Sequence, residues 1–425
     1  MSTPTLETSL REARVLVCAG TGGVGKTTIA ASLAIQAAFL GRRTLVLTID
    51  PAKRLANALG LDSLGSKPTA VDLSAVDADQ THFRGASLDA MMLDAKPTFD
   101  RLITRLTPDD ETRQRIFDNR IYEHLSSSLA GSAEYAAMEQ VHELVQSRRY
   151  DLIVVDTPPA DHALDFLRAP RRLREFLESR FVHTLVRPAM SASRIGMRLF
   201  GRPLHLMLSL LERIAGVGFL DDLTEFLRAI DGLSSGFQER ATRVEQVLLG
   251  DETGFVLISS AGGGSKTSTL EFMAELKKFE VPLVALIVNR LLPWPPDASP
   301  EALLKRCTGD ALDRDCARLA EAFANLPESS HDRVDTPFDT QDLSQAILSY
   351  AQICSGELES VEALSSIAAK SQLRCHSLPE LSGDLDHIGG LLEIGSMLRD
   401  KPRDSAHVRA RARSDVQSST EKSTP

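Results

Sequence analysis

Short apolar runs alternate with longer amphipathic stretches along most of this chain. Arg14–Cys18 is a brief β-branched run with glycines directly behind it, the pattern of a buried strand entering a turn. Lys26–Leu40 then sets alanine and leucine at helical spacing, so the first unit reads strand, glycine-rich loop, helix. Further buried strands are predicted at Thr44–Thr48, Asp151–Val155, Phe255–Ser259, Leu283–Val288 and Leu373–Leu378, each separated from the next by helical sequence. This succession predicts an α/β fold, a mostly parallel sheet sandwiched by helices with right-handed crossovers. Ligands of such sheets sit beyond the strand C-termini.

Two connections exceed what a crossover needs. Ala86–Tyr150 and roughly Leu164–Glu252 carry apolar residues at three- and four-residue spacing with almost no strand signal, and predict an inserted helical subdomain. A further helical stretch is expected over Pro300–Lys370. From Lys401 to Pro425 the residues are polar and without periodicity, so residues 401–425 read as a disordered tail behind one domain spanning 1–400.

Composition narrows the class. Hydrophobic residues make up 43% and charged residues 25%, ordinary for a globular chain. A net charge of −10 and a pI near 5.6 argue against nucleic acid or anionic lipid as a partner. The five cysteines (Cys18, Cys307, Cys316, Cys354, Cys375) are scattered and never spaced C-x-x-C, which indicates neither a disulfide framework nor a zinc site. That usage fits a reducing, cytoplasmic location. The longest greasy stretch, Leu204–Leu220, is broken by His205, Glu212 and Arg213, so no segment reads as membrane-spanning.

Gly20-Thr21-Gly22-Gly23-Val24-Gly25-Lys26-Thr27 matches G-x-x-x-x-G-K-[ST] in full, between a predicted strand and a predicted helix. The glycines let such a loop wrap a phosphate chain, with its N–H groups pointing inward at a helix N-terminus. Lys26 is expected on the β- and γ-phosphates and Thr27 on Mg²⁺, with Thr28 completing the ATP-binding stretch. A plain glycine turn explains the glycines but not Lys26 and Thr27 at these offsets. Thr48–Ala52 closes the second strand as T-I-D-P-A, where Asp50 either orients the attacking water or caps the next helix. Leu152–Pro159 is an apolar strand ending in Asp156, the form of a Walker B segment that holds Mg²⁺. Gly262–Thr267 imitates a second phosphate loop, but Lys266 follows serine instead of glycine, and the segment reads as a strand-to-helix turn. The expected protein is a Mg-dependent, ATP-hydrolysing enzyme.

With these elements in order, the sequence resembles the ArsA-type ATPases, the family that includes arsenical pump-driving ATPases and targeting ATPases for tail-anchored membrane proteins. The likeness rests on the glycine-rich loop, the D-P-A of Thr48–Ala52, and Asp156–Leu167, which is similar to the family's second switch, D-T-x-P-T-x-H-x-L. Asn289-Arg290 and Leu378-Pro379-Glu380-Leu381 also resemble the family's adenine-contacting Asn and nucleobase loop, implying nucleotide contacts at Asn289, Arg290 and Pro379. By the same resemblance Asp50 orients water in the first switch, Asp156 opens the second, and the helical insertions bind a client or effector. It implies a homodimer, or a heterodimer with a related ATPase. The family's loop usually reads G-K-G-G-x-G-K-T, its first lysine reaching the partner's nucleotide; here that position is Thr21, which cannot neutralise a leaving phosphate. Lys53 or Arg54 is the local substitute. The other is a different partner subunit, which would make this chain a nucleotide-binding regulatory subunit with little activity of its own.

Leu204–Ile230 supplies more apolar residues, among them Leu206, Met207, Leu211, Ile214, Phe219 and Phe226, than one helix stripe requires. Two readings fit: internal packing of a bundle, or a pliable Leu/Met surface for the apolar helix of a client or membrane-protein partner.

Overall fold

The computed structural model describes residues 5–50, 53–74, 86–128, 132–158, 167–172, 219–262, 264–294, 340–381 and 388–399, with Glu175 and scattered residues between 299 and 321. Within them lie the strands β1 (Val15–Gly20), β2 (Arg43–Thr48), β3 (Thr69–Ala70), β4 (Ser87–Met92), β5 (Leu152–Asp156), β6 (Thr253–Ser260), β7 (Leu283–Leu291) and β8 (Cys375–Pro379). They form one sheet in the order β3-β4-β2-β5-β1-β6-β7-β8. Every pairing is parallel except that of the two-residue β3, which runs antiparallel to β4. β1, β5 and β6 are central, which is why their sequences are continuously apolar rather than alternating.

Helices cover both faces. α1 (Leu6–Glu12), α2 (Lys26–Phe39), α3 (Arg54–Ala58) and, near the chain's other end, α11 (Ile388–Arg399) share one core with Leu16 and Cys18 of β1. The opposite core takes Val15, Val17 and Ala19 from the same strand. Over it lie α4 (Ala95–Leu106), α5 (Asp110–Phe117), α6 (Arg120–Ser128), α7 (Ser132–Ser147), α8 (Phe219–Leu248), α9 (Ser265–Lys278) and α10 (Thr340–Lys370). α4 to α8 pack against one another, and α7 packs against β5. α2 is buried on nearly every side between the sheet and α11, so its alanines are the small residues that close packing requires. No described helix is long and apolar enough to cross a membrane.

One expectation is corrected. The stretch from Ala86 to Tyr150 is not helical throughout, because it opens with β4, paired parallel to β2 from Arg43↔Ser87 to Thr48↔Met92. Asp89 in the middle of that strand hides the apolar run. It is nonetheless buried, accepting from the Tyr150 hydroxyl at 2.5 Å and pairing with Arg149 at 3.2 Å. A carboxylate satisfied this way is tolerated where a bare one would be expelled. Within the helical stretch expected over Pro300–Lys370, α10 starts at Thr340. Residues 204–218, Cys307 and 401–425 lie outside the described residues. Of the Leu204–Ile230 stretch, the described part begins α8, where Phe226 and Ile230 are core residues.

Candidate active site

The phosphate loop joins the C-terminal end of β1 to the first turn of α2. Gly25 occupies the N-cap position with φ 89° and ψ 28°, a left-handed conformation, and a Cβ there would stand 2.5 Å from the Asn289 amide nitrogen. Gly20 is equally committed, since its Cβ would stand 2.1 Å from the carbonyl oxygen of Ile258 on the neighbouring strand. Lys26 is buried and folds its ammonium back onto the loop, donating to the Thr21 carbonyl at 2.9 Å. Burial pulls the Lys26 pKa down, while Asp156 and Asp50 push it back up.

Strand register brings the carboxylates to this loop. Asp156 lies level with Cys18 of β1 and with Thr48 of β2. Its Oδ2 accepts from the Thr27 hydroxyl at 2.8 Å and from the Thr48 hydroxyl at 3.1 Å. Its Oδ1 is buried with no hydrogen-bond partner, in a residue only 1% exposed. Desolvation raises the Asp156 pKa to about 6, against the pull of both hydroxyls and of Lys26. Asp50 follows β2, with its backbone N–H on the Thr48 hydroxyl at 3.3 Å and its carboxylate 3.7 Å from Arg54. The N-cap of α3 is Lys53, so Asp50 is not the cap of that helix. Thr157 donates its hydroxyl to the Cys18 carbonyl at 2.8 Å and pins the strand end.

On the far side of the loop, the Asn289 amide donates to the Val24 carbonyl at 2.9 Å and Arg290 to the Gly23 carbonyl at 3.0 Å. Both residues belong to β7, and with Gly25, Thr28, Pro379 and Glu380 they line a cleft of about 220 Å³. Ile394 and Met397 of α11 close it with apolar surface. Thr28, Asn289, Arg290 and Pro379, expected from the sequence to contact nucleotide, all line this cleft, whereas its helix wall was not expected, its only signal being an apolar periodicity shared with every core helix. The Thr48 hydroxyl was also missed. Of the Gly262–Thr267 stretch, Ser265 to Thr267 form the first turn of α9, where the Ser265 hydroxyl meets that of Ser260 at 2.8 Å. Among the described residues no cluster of His, Cys, Asp or Glu forms a ready metal cage.

The family model described as anion-transporting ATPase matches residues 13–312, a span that contains the phosphate loop, Asp50, Asp156 and Asn289. The chain belongs to that family. It is therefore an ATPase, an enzyme that binds and hydrolyses ATP. ATPase get3 of Aspergillus terreus (strain NIH 2624 / FGSC A1156) is 28% identical over 287 residues, 67% of this chain and 75% of that protein. ATPase get3 of Aspergillus niger (strain ATCC MYA-4892 / CBS 513.88 / FGSC A1513) is 27% identical over 292 residues, 68% of this chain and 76% of that protein. The family match stops before β8 and α11, so one wall of the cleft beside Asn289 is built from sequence beyond it.

Proposed function

We propose that this member is a Mg-dependent switch ATPase, whose cycle moves the α4 to α8 layer and so handles a client or effector. The observation that carries this reading is the junction at Asp156. One carboxylate oxygen ties Thr27 of the phosphate loop to Thr48 beside Asp50, and the other is buried without a partner. A hard divalent cation fits that donor set, because a hydroxyl and a buried carboxylate are oxygen ligands and a bare buried charge calls for a counter-charge. Mg²⁺, when bound, would draw charge off the phosphate oxygens.

The chain's own residues do the rest. The Lys26 ammonium exchanges the Thr21 carbonyl for phosphate oxygens, and the loop amides point at the same chain of phosphates. Asp50, next to the Thr48 hydroxyl, holds the attacking water in line. Asn289, Arg290 and Pro379 bound the base cleft, and Ile394 and Met397 keep water from one side of it. Loss of the γ-phosphate relaxes Thr27 and Thr48 together, since both lean on Asp156. β5 carries Asp156 and continues to Pro158, so one displacement there acts on both threonines at once. Arg54, 70% exposed and 3.7 Å from Asp50, is the cation placed to swing to the phosphates in place of the lysine that Thr21 replaces. The active assembly pairs this chain with a second copy or a related ATPase, and the client presents an apolar helix.

Thr21 also sustains a second reading, a nucleotide-binding regulatory subunit whose activating charge comes from a different chain. Mg-dependent hydrolysis measured on the purified chain at several concentrations separates the two. Under the switch reading wild type turns over, Lys26→Ala fails to bind, and Asp50→Asn binds ATP but turns over about 100-fold more slowly or less. Wild type that binds ATP without hydrolysing it at any concentration overturns that reading in favour of the regulatory one. Arg54→Ala with unchanged turnover removes Arg54 from the mechanism.

A further inference from the structure

A second polar cleft, of about 460 Å³, opens between α4, α7 and α8. α7 ends at Ser147 and runs through Tyr150 into the start of β5, whereas the phosphate loop follows the end of the parallel strand β1. The cleft therefore lies at the opposite edge of the sheet and takes no part in the chemistry at Asp156. Arg105, Arg240 and Arg243 line it with His142, Glu143 and Gln146.

Its charge runs against that of the protein. The chain carries −10, yet here four arginines, Arg101, Arg105, Arg240 and Arg243, form ion pairs with three carboxylates, Glu139, Glu143 and Glu239, among the described residues. Arg240 is held on buried Glu139 at 2.6 Å and Arg105 on Glu143 at 2.6 Å. A guanidinium has five N–H donors and a carboxylate engages two of them, so each anchored arginine keeps donors for something else. His142, 3% exposed, forms part of the wall and its Nδ1 has no hydrogen-bond partner. Burial does most to push its pKa down to about 4, and the positive charges of Arg240, Arg243 and Arg105 act in the same direction. A cation would be repelled by those charges, and an apolar ligand would strip water from three guanidiniums without replacing it.

We propose that this cleft is a second anion site, which takes a small multivalent oxyanion on Arg105, Arg240 and Arg243 against the His142 imidazole. α7 feeds β5 and β5 ends in Asp156, so the cleft and the catalytic edge lie at the two ends of one helix–strand unit.

The probe is inorganic sulfate, a dianion throughout the range in which His142 titrates, added to the full chain against chloride at matched ionic strength, with the His142 imidazole followed by NMR. Expected is a saturable rise of about one unit in the His142 pKa, as for a group gaining an opposite charge nearby. Arg243→Gln, whose partner Glu239 is on the surface, is expected to weaken sulfate about tenfold. Lys26→Ala, which disables the phosphate loop, is expected to leave the response intact. A response that does not saturate, that chloride reproduces, that Arg243→Gln leaves unchanged, or that Lys26→Ala abolishes overturns the proposal.

Discussion

Asp156→Asn should make the metal-free protein more stable relative to wild type as pH rises, although it removes the group on which the proposed metal site depends. Asp156 is an acid whose folded pKa, about 6, lies above its ordinary value of 3.8. The folded state therefore binds its proton more tightly than the unfolded chain does. Stability from this group is fully present below pH 3.8 and is lost as pH rises through 6. The difference between the two values corresponds to about 3 kcal/mol, undiminished by solvent because the side chain is buried. Asn keeps an oxygen for Thr27 and Thr48 but places an amide where the bare oxygen lies, at a pH-independent cost of about 1–3 kcal/mol. The two proteins' unfolding free energies, from urea denaturation in EDTA between pH 4 and 7.5, should therefore diverge by about 2.5 kcal/mol in favour of the variant, with most of the change between about pH 4 and 6. Mg²⁺ with nucleotide should stabilise wild type and leave the variant behind. A difference that stays flat with pH would refute the claim that burial strains this carboxylate.

Gly25→Ala forces a side chain into a left-handed position 2.5 Å from Asn289, so nucleotide affinity should fall at least tenfold in equilibrium binding, with stability reduced by more than about 1 kcal/mol. Arg240→Ala leaves Glu139, fully buried, without its cation and should cost about 3–5 kcal/mol in denaturation. Adding Glu139→Gln should recover most of that loss, and failure of the double variant to recover would mean that Arg240 acts through packing instead. Glu380→Ala should alter the affinity for ATP relative to GTP, measured by competition, if the cleft of β7 and β8 holds the base.

Local pattern carried much of the site. The phosphate loop is legible because its function resides in consecutive backbone amides, and eight contiguous residues state them. Asp50 and Asp156 are legible because each closes an apolar run, and parallel strands present their C-terminal ends to the ligand. Where polarity interrupts a run, the signal is lost. Asp89 concealed β4, and only the arrival of Tyr150 and Arg149, some sixty residues later in the chain, explains why it is there.

From the sequence alone came the α/β alternation, the glycine loop with Lys26 and Thr27, and the positions of the strand-end carboxylates. Tertiary structure decided which of these meet. The register Thr48↔Asp156 makes one carboxylate oxygen serve two threonines and leaves the other bare. The packing of α11 on α2 walls the cleft beside Asn289, and the approach of α8 to α7 gathers arginines around His142. Hydrophobic periodicity is a local property, encoded every two or every three to four residues. Register, helix docking and the pairing of buried charges depend on residues a hundred or more positions apart, and one chain's pattern does not state those couplings.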